Sequence, residues 1–410
     1  MSKVLRLSSE RQLFVDDYVI DEVRNLHQVL NGPVKYAGNP LIRPLNPWER
    51  PGVNLYGTVM YDSEQGTYRM WYQGYGGGSY TGCYATSHNG IYWEKPHLGL
   101  IEFDGSTENN LFINDAAILN VIKDDREPDA DRLYKSLFYE RHNPSVSVAF
   151  SPDGVHWTKY EGNPVLKGTS DTHTLLGWDG TYGKYVAYIR PGVRDGSRIR
   201  VIGRSVSDDF IHWTEPEVVL EPDEHDPPAL EFYGMPVFKY QGLYLGLLWA
   251  YHAYPEESLT RMAALLDTQL AASRDGVHWQ RVGDRKPFLP RGSAGSIDQG
   301  VIYTAKEPVI VGDELWFYYG GFDGDHGTSC SGNICLAKLR LDGFASMDAG
   351  DEEGILITKP FICQGTDLFI NADAQRGHIA VAVLDEAGHQ SGDLAGFKKI
   401  DCALFDGDAV

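Results

Sequence analysis

Four times in its 410 residues the chain returns to nearly the same seven-residue phrase. Ser87-His88-Asn89-Gly90-Ile91-Tyr92-Trp93 recurs as Ser151-Pro152-Asp153-Gly154-Val155-His156-Trp157. It returns as Ser207-Asp208-Asp209-Phe210-Ile211-His212-Trp213 and as Ser273-Arg274-Asp275-Gly276-Val277-His278-Trp279, and Leu341-Asp342-Gly343-Phe344 is a degenerate fifth copy. Successive copies stand 64, 56, 66 and 65 residues apart. A steady period marks a repeat architecture, in which no unit can bury its apolar face alone and each closes against its neighbours. Four near-equal steps imply five units.

Each unit reads as four strands. Tyr56 to Tyr61 alternates in polarity, Tyr68 to Tyr72 follows a turn at Gly66, and Cys83 to Thr86 leads into Asn89-Gly90, with Trp93 opening an outer strand. Asn-Gly and Asp-Gly readily take the positive φ of a tight hairpin, so the repeated dipeptide folds the third strand onto the fourth. The fourth unit repeats the plan through Gly234 to Tyr240, Leu243 to Tyr251, Gln269 to Ser273 and Trp279. Helical periodicity is nearly absent. Four-stranded units repeated radially describe a β-propeller. The expectation is an all-β, five-bladed propeller over residues 1–349, its ring closed by an N-terminal strand at Gln12–Ile20. After residue 349 the pattern changes. Leu368 to Ile370, His378 to Leu384 and Gly396 to Cys402 read as a short C-terminal β extension, residues 350–410, packed on the propeller. The repeated Asp, Gly and Trp then have structural work, making turns and packing blades. If those turns lie on one face, residues at the starts of the inner strands converge on the axis of the other.

Composition narrows the partners. Lys and Arg number 36 against 57 Asp and Glu, a net charge of −21 that repels nucleic-acid phosphates and anionic membrane surfaces alike. The five cysteines are scattered, with no CxxC, so neither a zinc site nor a disulfide framework is legible. Met1 to Leu13 is polar and lacks the apolar core of a secretory signal. No stretch reaches the ~18 apolar residues that span a membrane. The expectation is a soluble, cytoplasmic protein. The 24 Tyr and 9 Trp suit β-structure, and also a site that stacks flat apolar faces.

Acidic residues recur where inner strands begin. A ring of carboxylates about one axis suits glycoside cleavage, in which one carboxylic acid protonates the leaving oxygen and a carboxylate attacks or activates water. Three candidates lead. Asp171 precedes the β-branched Thr172 rather than a glycine, and Glu231 sits among Leu230, Phe232 and Tyr233, where apolar surroundings favour a neutral carboxyl. Asp298, followed by Gln299-Gly300, reads equally well as the start of an Asx turn. Around them, Trp48, Glu49, Asn54, Tyr75, Asp115, His173, Arg190, His252 and His326 are candidate substrate contacts, and Trp178 and Tyr251 offer further stacking faces. Gly76-Gly77-Gly78 lacks the following helix and Lys of a phosphate-binding loop. No Gly-x-Ser-x-Gly elbow is present. The chemistry requires no cofactor, and no metal-binding loop is legible.

These features resemble the five-bladed β-propeller glycosidases, which include the invertase/fructanase-like and arabinanase-like families. The resemblance rests on the Ser-x-Asp-Gly-x-x-Trp turns and on the opening Gly57-Thr58-Val59 followed by Tyr68-Arg69-Met70-Trp71-Tyr72. The chain is most similar to bacterial proteins described as glycoside hydrolase family 32 N-terminal-like, through Gln12-Leu13-Phe14-Val15-Asp16-Asp17, Asn39-Pro40, Trp48-Glu49 and Phe232-Tyr233-Gly234-Met235-Pro236. It covers residues 10 to 345. In the invertase-like families an Asp nucleophile stands just before the first inner strand. Anchoring on Tyr68 to Gln73 puts Asn54 there, and an amide cannot be the nucleophile. The acid/base carboxyl of the third blade falls near Asp171. The resemblance therefore implies a glycoside hydrolase that removes a terminal, furanosidic sugar from a small saccharide. Asp171 keeps the proton-donor role, and Glu231 or Asp298 supplies the second carboxylate. A phosphate-dependent glycoside phosphorylase, with Arg190, Arg194, Arg198 and Arg200 holding phosphate, and a non-catalytic carbohydrate-binding propeller stay open as alternatives. So does assembly into a homo-oligomer.

Overall fold

A computed structural model of the chain describes residues 4–7, 10–140, 145–169, 171–192, 199–254, 263–328, 330–362, 369–374 and 377–383, and the backbone of 398–400. It is nearly all β. The helical elements among these residues are three short 3-10 turns, Pro47–Glu49, Gly76–Gly78 and Ala130–Arg132. Two compact units emerge, Leu30–Gly343 and the combination of Met1–Val29 with Phe344–Val410.

Within Leu30–Gly343 the same antiparallel meander recurs. The first sheet runs Val53–Asp62, Thr67–Gly74, Thr81–Ser87, Leu111–Asn114, and the second Ala117–Lys123, Tyr134–Tyr139, Val146–Ser151, Thr158–Lys159. The third runs His173–Asp179, Lys184–Ile189, Ile202–Ser207, Glu217–Leu220. Two further sets share one larger sheet. In one, Leu230–Gly234 and Val237–Tyr240 pair with Leu243–Ala253, which pairs with Ala264–Ser273. In the other, Val301–Thr304 and Val309–Val311 pair with Glu314–Phe322, which pairs with Gly332–Arg340. A single parallel pair, Leu266 with Val301, joins the two sets. Opening strands of successive sets pack on one another, Val53–Asp62 on Ala117–Lys123 and the latter on His173–Asp179. Val301–Thr304 in turn packs on Val53–Asp62.

The repeated phrase builds one turn four times. In its second copy the Ser151 hydroxyl accepts the Gly154 N–H at 2.8 Å, and Asp153 Oδ1 accepts the N–H groups of Val155 and His156, each at 2.8 Å. The Trp157 indole donates to the Gly154 carbonyl at 2.9 Å. Glycine serves here because φ is positive, +72° at Gly90, +79° at Gly154 and +69° at Gly276. What locks one sheet to the next is a donor from the neighbouring set on the same carbonyl. Tyr318 donates to Gly90 at 2.9 Å, Trp71 to Gly154 at 2.6 Å and Tyr188 to Gly276 at 2.8 Å, each from the middle of the neighbouring set. Pairing of Tyr68, Tyr134 and Tyr185 with the motif serines aligns the second strands, so Leu137 occupies the position of Trp71 and Tyr188. Leu137 cannot donate, and the turn it faces carries Phe210 instead of glycine, with both side chains in one apolar cluster. An apolar contact replaces the hydrogen bond there, and Phe210 accepts a φ of +69° to make it.

Two features of the sequence plan differ. Gln12–Val19 forms turns and bends rather than the ring-closing strand, and the strand that begins at Ile20 pairs with Ile355–Thr358. The outer strand on Gly332–Arg340 is instead Val34–Lys35, where Lys35 pairs with Ala337. The outer strand expected at Trp93 is a single bridge between Thr86 and Glu94, the regular one being Leu111–Asn114. In the other unit, Leu5–Arg6 pairs with Phe361–Ile362, and Leu5, Val19 and Ile20 form a small core with Met347 and Leu356. Ile379–Val381 pairs with Lys398–Ile400, within two of the three expected C-terminal stretches. Phe369 and Ile370 are not in a strand, and Leu368, Leu384, Gly396 and Cys402 lie outside the described residues.

Tyr318→Phe keeps the ring and removes one donor from the buried Gly90 carbonyl. Its expected effect is a loss of about 1–2 kcal/mol of unfolding free energy by urea titration. An unchanged midpoint would show that the cross-sheet bond does not lock these sheets.

Candidate active site

The starts of the inner strands converge on a cluster of tyrosines. Tyr56, Ala117, Ile118, Tyr233, Val301 and Tyr303 come from opening strands, and Trp249, Tyr251, Ala264, Leu266 and Phe322 complete the buried set. Tyr233 sits centrally, its ring stacked on Tyr251 with centroids 5.6 Å apart and on Tyr56 at 6.4 Å. Its hydroxyl lies 3.1 Å from His326 Nε2. Burial, then the neighbouring tyrosines, hold the Tyr56 and Tyr303 hydroxyls well above the usual phenol range, so they stay protonated.

Two carboxylate–arginine pairs flank Tyr233. Asp171 pairs with Arg190, whose guanidinium lies over the Tyr233 ring, 4.7 Å from its centroid. Glu231 Oε2 pairs with Arg200 at 2.5 Å, and that guanidinium covers the Tyr251 ring at 4.3 Å and approaches Tyr233 at 5.9 Å. Glu231 is buried, whereas the Asp171 side chain is 39% exposed. That exposure opens onto a cavity of about 390 Å³ lined by Pro51, Tyr75, Gly78, Ser79, Tyr80, Tyr139 and Asp171. Its size falls within the ~300–1,000 Å³ usual for small-molecule sites. Three tyrosines and one carboxylate suit a ligand with apolar ring faces and hydroxyl edges.

Thus Asp171, Glu231, Arg190, Tyr75, Tyr251 and His326 gather around Tyr233 and this cavity. Other residues singled out from sequence lie in settings of their own. Asp298 is buried and held by Lys35 at 2.6 Å, Tyr319 at 2.9 Å and Ser296 at 3.0 Å. Burial alone would raise its carboxyl, but Lys35 and the two hydroxyls hold it below the usual range. Glu49 is buried too, accepting from Tyr72 at 2.7 Å and the Asn46 N–H at 3.0 Å and pairing with Lys95 at 2.6 Å. Trp48 donates to Asn110 at 2.8 Å and meets the edge of Phe103. The Arg126 guanidinium covers Trp178 in the packing between sheets. Asp115 turns the chain between Leu111–Asn114 and Ala117–Lys123 with φ +51°. Asn54 is fully buried in Val53–Asp62, its amide nitrogen 3.4 Å from the Tyr75 hydroxyl. A Cβ on Gly320 would strike its oxygen, so that glycine makes room for it.

His173 is fully buried, and neither ring nitrogen has a hydrogen-bond partner among the described residues. Burial pushes its imidazole down to about 4, against the nearby carbonyls of Leu137, Ile118 and Asp171, which favour the proton. His252 faces away from the tyrosine cluster because side chains alternate along a strand and Tyr251 takes the inner face. Its Nε2 lies 2.9 Å from the buried Asp267. Arg194, Arg198 and residues 141–143 lie outside the described residues.

The sequence singled out neither Tyr233, Tyr80 nor Tyr139 as a contact, and Arg200 only as part of an alternating arginine run. The usable signal was the Phe232-Tyr233-Gly234 context beside Glu231. Among the described residues, Asp223, Glu224 and His225 are close enough together to hold an ion, but all three are exposed and Asp223 already receives Arg285 through two bonds of 2.6 Å.

No protein-family profile and no curated protein matches the chain. Solved structures share its fold. A glycosyl hydrolase from Bacteroides ovatus superposes with TM-score 0.52 at 19% identity, over 78% of this chain and 97% of that one. A structure described under "The GH130 family of mannoside phosphorylases contains glycoside hydrolases that target beta-1,2 mannosidic linkages in Candida mannan" gives 0.51 at 18%, over 78% and 97%. A further glycoside hydrolase gives 0.54 at 13%, over 79% and 95%. Likeness at such identity establishes the shared fold.

Two measurements separate structural from catalytic groups. Asp298→Asn breaks a buried ion pair and should cost about 3 kcal/mol of stability, with turnover of any substrate unchanged. Loss of activity at full stability would return Asp298 to the catalytic set. For His173, the folded imidazole at about 4 lies below the ordinary value of 6.5, so the unfolded chain binds more protons between those limits. Stability should be complete above pH 6.5 and fall by about 3 kcal/mol as pH drops towards 4. His173→Gln should flatten that slope in urea titrations run at each pH.

Proposed function

We propose that the chain is a five-bladed β-propeller glycoside hydrolase that removes a terminal sugar from a small saccharide. Five antiparallel strand sets, and opening strands that pack in succession and return from Val301–Thr304 to Val53–Asp62, support the five-bladed reading. The fold shared with structures described as glycoside hydrolases supports the chemistry. The observation that carries the site is the pair Asp171 and Glu231 flanking Tyr233, with Asp171 opening onto the tyrosine-lined cavity.

In this reading the terminal sugar stacks on the tyrosine wall, and Asp171, the more exposed carboxyl, gives its proton to the leaving oxygen. Glu231 is the second carboxylate, with Arg200 fixing its position. The furanosidic substrate follows from the resemblance to the invertase-like families. Asn54, where those families carry a nucleophile, leaves that role to Glu231.

A second reading has its own support. Arg190 and Arg200 both approach Tyr233 and His326 contacts its hydroxyl, an arrangement suited to inorganic phosphate as the attacking group. That would make the chain a phosphorylase.

Purified protein should release a monosaccharide from at least one member of a panel of aryl furanosides, aryl mannosides and disaccharides. Asp171→Asn and Glu231→Gln should each lower turnover by about 10²–10⁴-fold, with far-UV circular dichroism unchanged. Full activity in both variants would sink the assignment. Turnover that requires added phosphate and yields a sugar phosphate would select the second reading. Sugar binding without cleavage anywhere in the panel would make the propeller a binding module.

A further inference from the structure

A second cavity, of about 370 Å³, lies beside the tyrosine cluster and takes no part in the chemistry above. Two thin walls separate them. Asp323 and Asp325 line this cavity, while the neighbouring His326 contacts Tyr233 and Cys330 packs against the tyrosine cluster. On the adjacent strand Leu265 lines the cavity and Leu266 belongs to the cluster, the alternation of a strand making one wall serve both sides.

The lining is polar and half satisfied. Asp323 Oδ1 accepts the Ser331 N–H at 2.8 Å, and Asp325 Oδ2 accepts the Tyr254 hydroxyl at 2.7 Å. The other oxygen of each has no hydrogen bond among the described residues. Across from them Arg291 donates through Nη1 to the Gln299 carbonyl at 2.7 Å, while its Nε is buried without a partner. Gln299 is itself occupied, its amide donating to the Asp323 carbonyl and accepting from the Gly295 N–H, each at 2.7 Å, so it braces the wall.

From these groups we infer a second saccharide-binding site, for a neutral, hydroxyl-rich sugar unit. The saccharide class rests on the proposed function. The neutral preference comes from the cavity itself. The two carboxylates offer spare acceptors to sugar hydroxyls and the guanidinium offers donors, and their net negative charge repels a uronate or a phosphorylated sugar.

Saturation-transfer NMR on the full chain, with D-fructose, D-mannose and D-glucuronate as probes, tests the inference. At least one neutral sugar should bind Asp171→Asn as it binds the unmodified protein. Asp323→Asn or Asp325→Asn should weaken that binding about fivefold or more, the size of one lost hydrogen bond, and D-glucuronate should show no component sensitive to these changes. Arg291→Gln provides a third variant, and thermal unfolding checks that each is folded. Neutral-sugar binding that depends on Asp171 alone would overturn this site and leave the proposed function standing. D-glucuronate binding sensitive to Asp323 or Asp325 would overturn the neutral preference on which the assignment rests. Absence of binding by all three sugars would overturn this site, while the release assay decides the proposed function separately.

Discussion

A single backbone carbonyl, that of the turn glycine, receives an aromatic donor from the neighbouring sheet in three of the four full repeats, and in two of them, at Gly90 and Gly154, its own tryptophan as well. A four-stranded sheet cannot bury both faces on its own, so each set depends on the next for its core. The shared carbonyl makes that dependence specific in position as well as apolar. Tyr318 carries it from the last set to the first turn. At the one interface where the donor position is Leu137, the glycine has become Phe210 and the contact is apolar. The substitution at one residue is explained by the residue it faces.

The same economy governs the carboxylates. Asp298 and Glu49 are acids in plausible places, yet each is buried with a lysine and further donors already in contact. Buried charge persists only with such partners. The Asp298–Lys35 pair adds a charged link between the outermost strand of the last set and the segment leading into its first. Asp171 and Glu231 also have ion-pair partners, but theirs are arginines spread over tyrosine rings beside a cavity, a setting that can reorganise around a ligand. Exposure singles out Asp171 alone, since Glu231 is as buried as Asp298 and Glu49.

Much of the fold was legible because turn chemistry is local. Ser-x-Asp-Gly-x-x-Trp specifies its own hydrogen bonds within seven residues, and its recurrence sets the number and length of the units. The ring-closing strand was misplaced onto Gln12–Val19 because two residues, Val34 and Lys35, do the pairing, and two residues carry no periodicity. The site was partly legible. Asp171 and Glu231 stood out through their neighbours in sequence, while Tyr80, Tyr139 and Tyr233 looked like ordinary strand aromatics. His252 illustrates the reverse case, a residue adjacent to Tyr251 that points to the opposite face of the strand.

Sequence alone therefore established an all-β repeat, the turns that recur through it, and a short set of acids that includes both carboxylates proposed for the site. Those features depend on contacts a few residues apart, or on periods that can be counted. Which acids face a cavity, which are consumed by lysines, and that Arg190 and Arg200 both approach Tyr233 depend on residues brought together from different sheets. Side-chain direction alternates at every position of a strand, so a one-residue difference moves a group from the site to the opposite face, and only the assembled sheets resolve it.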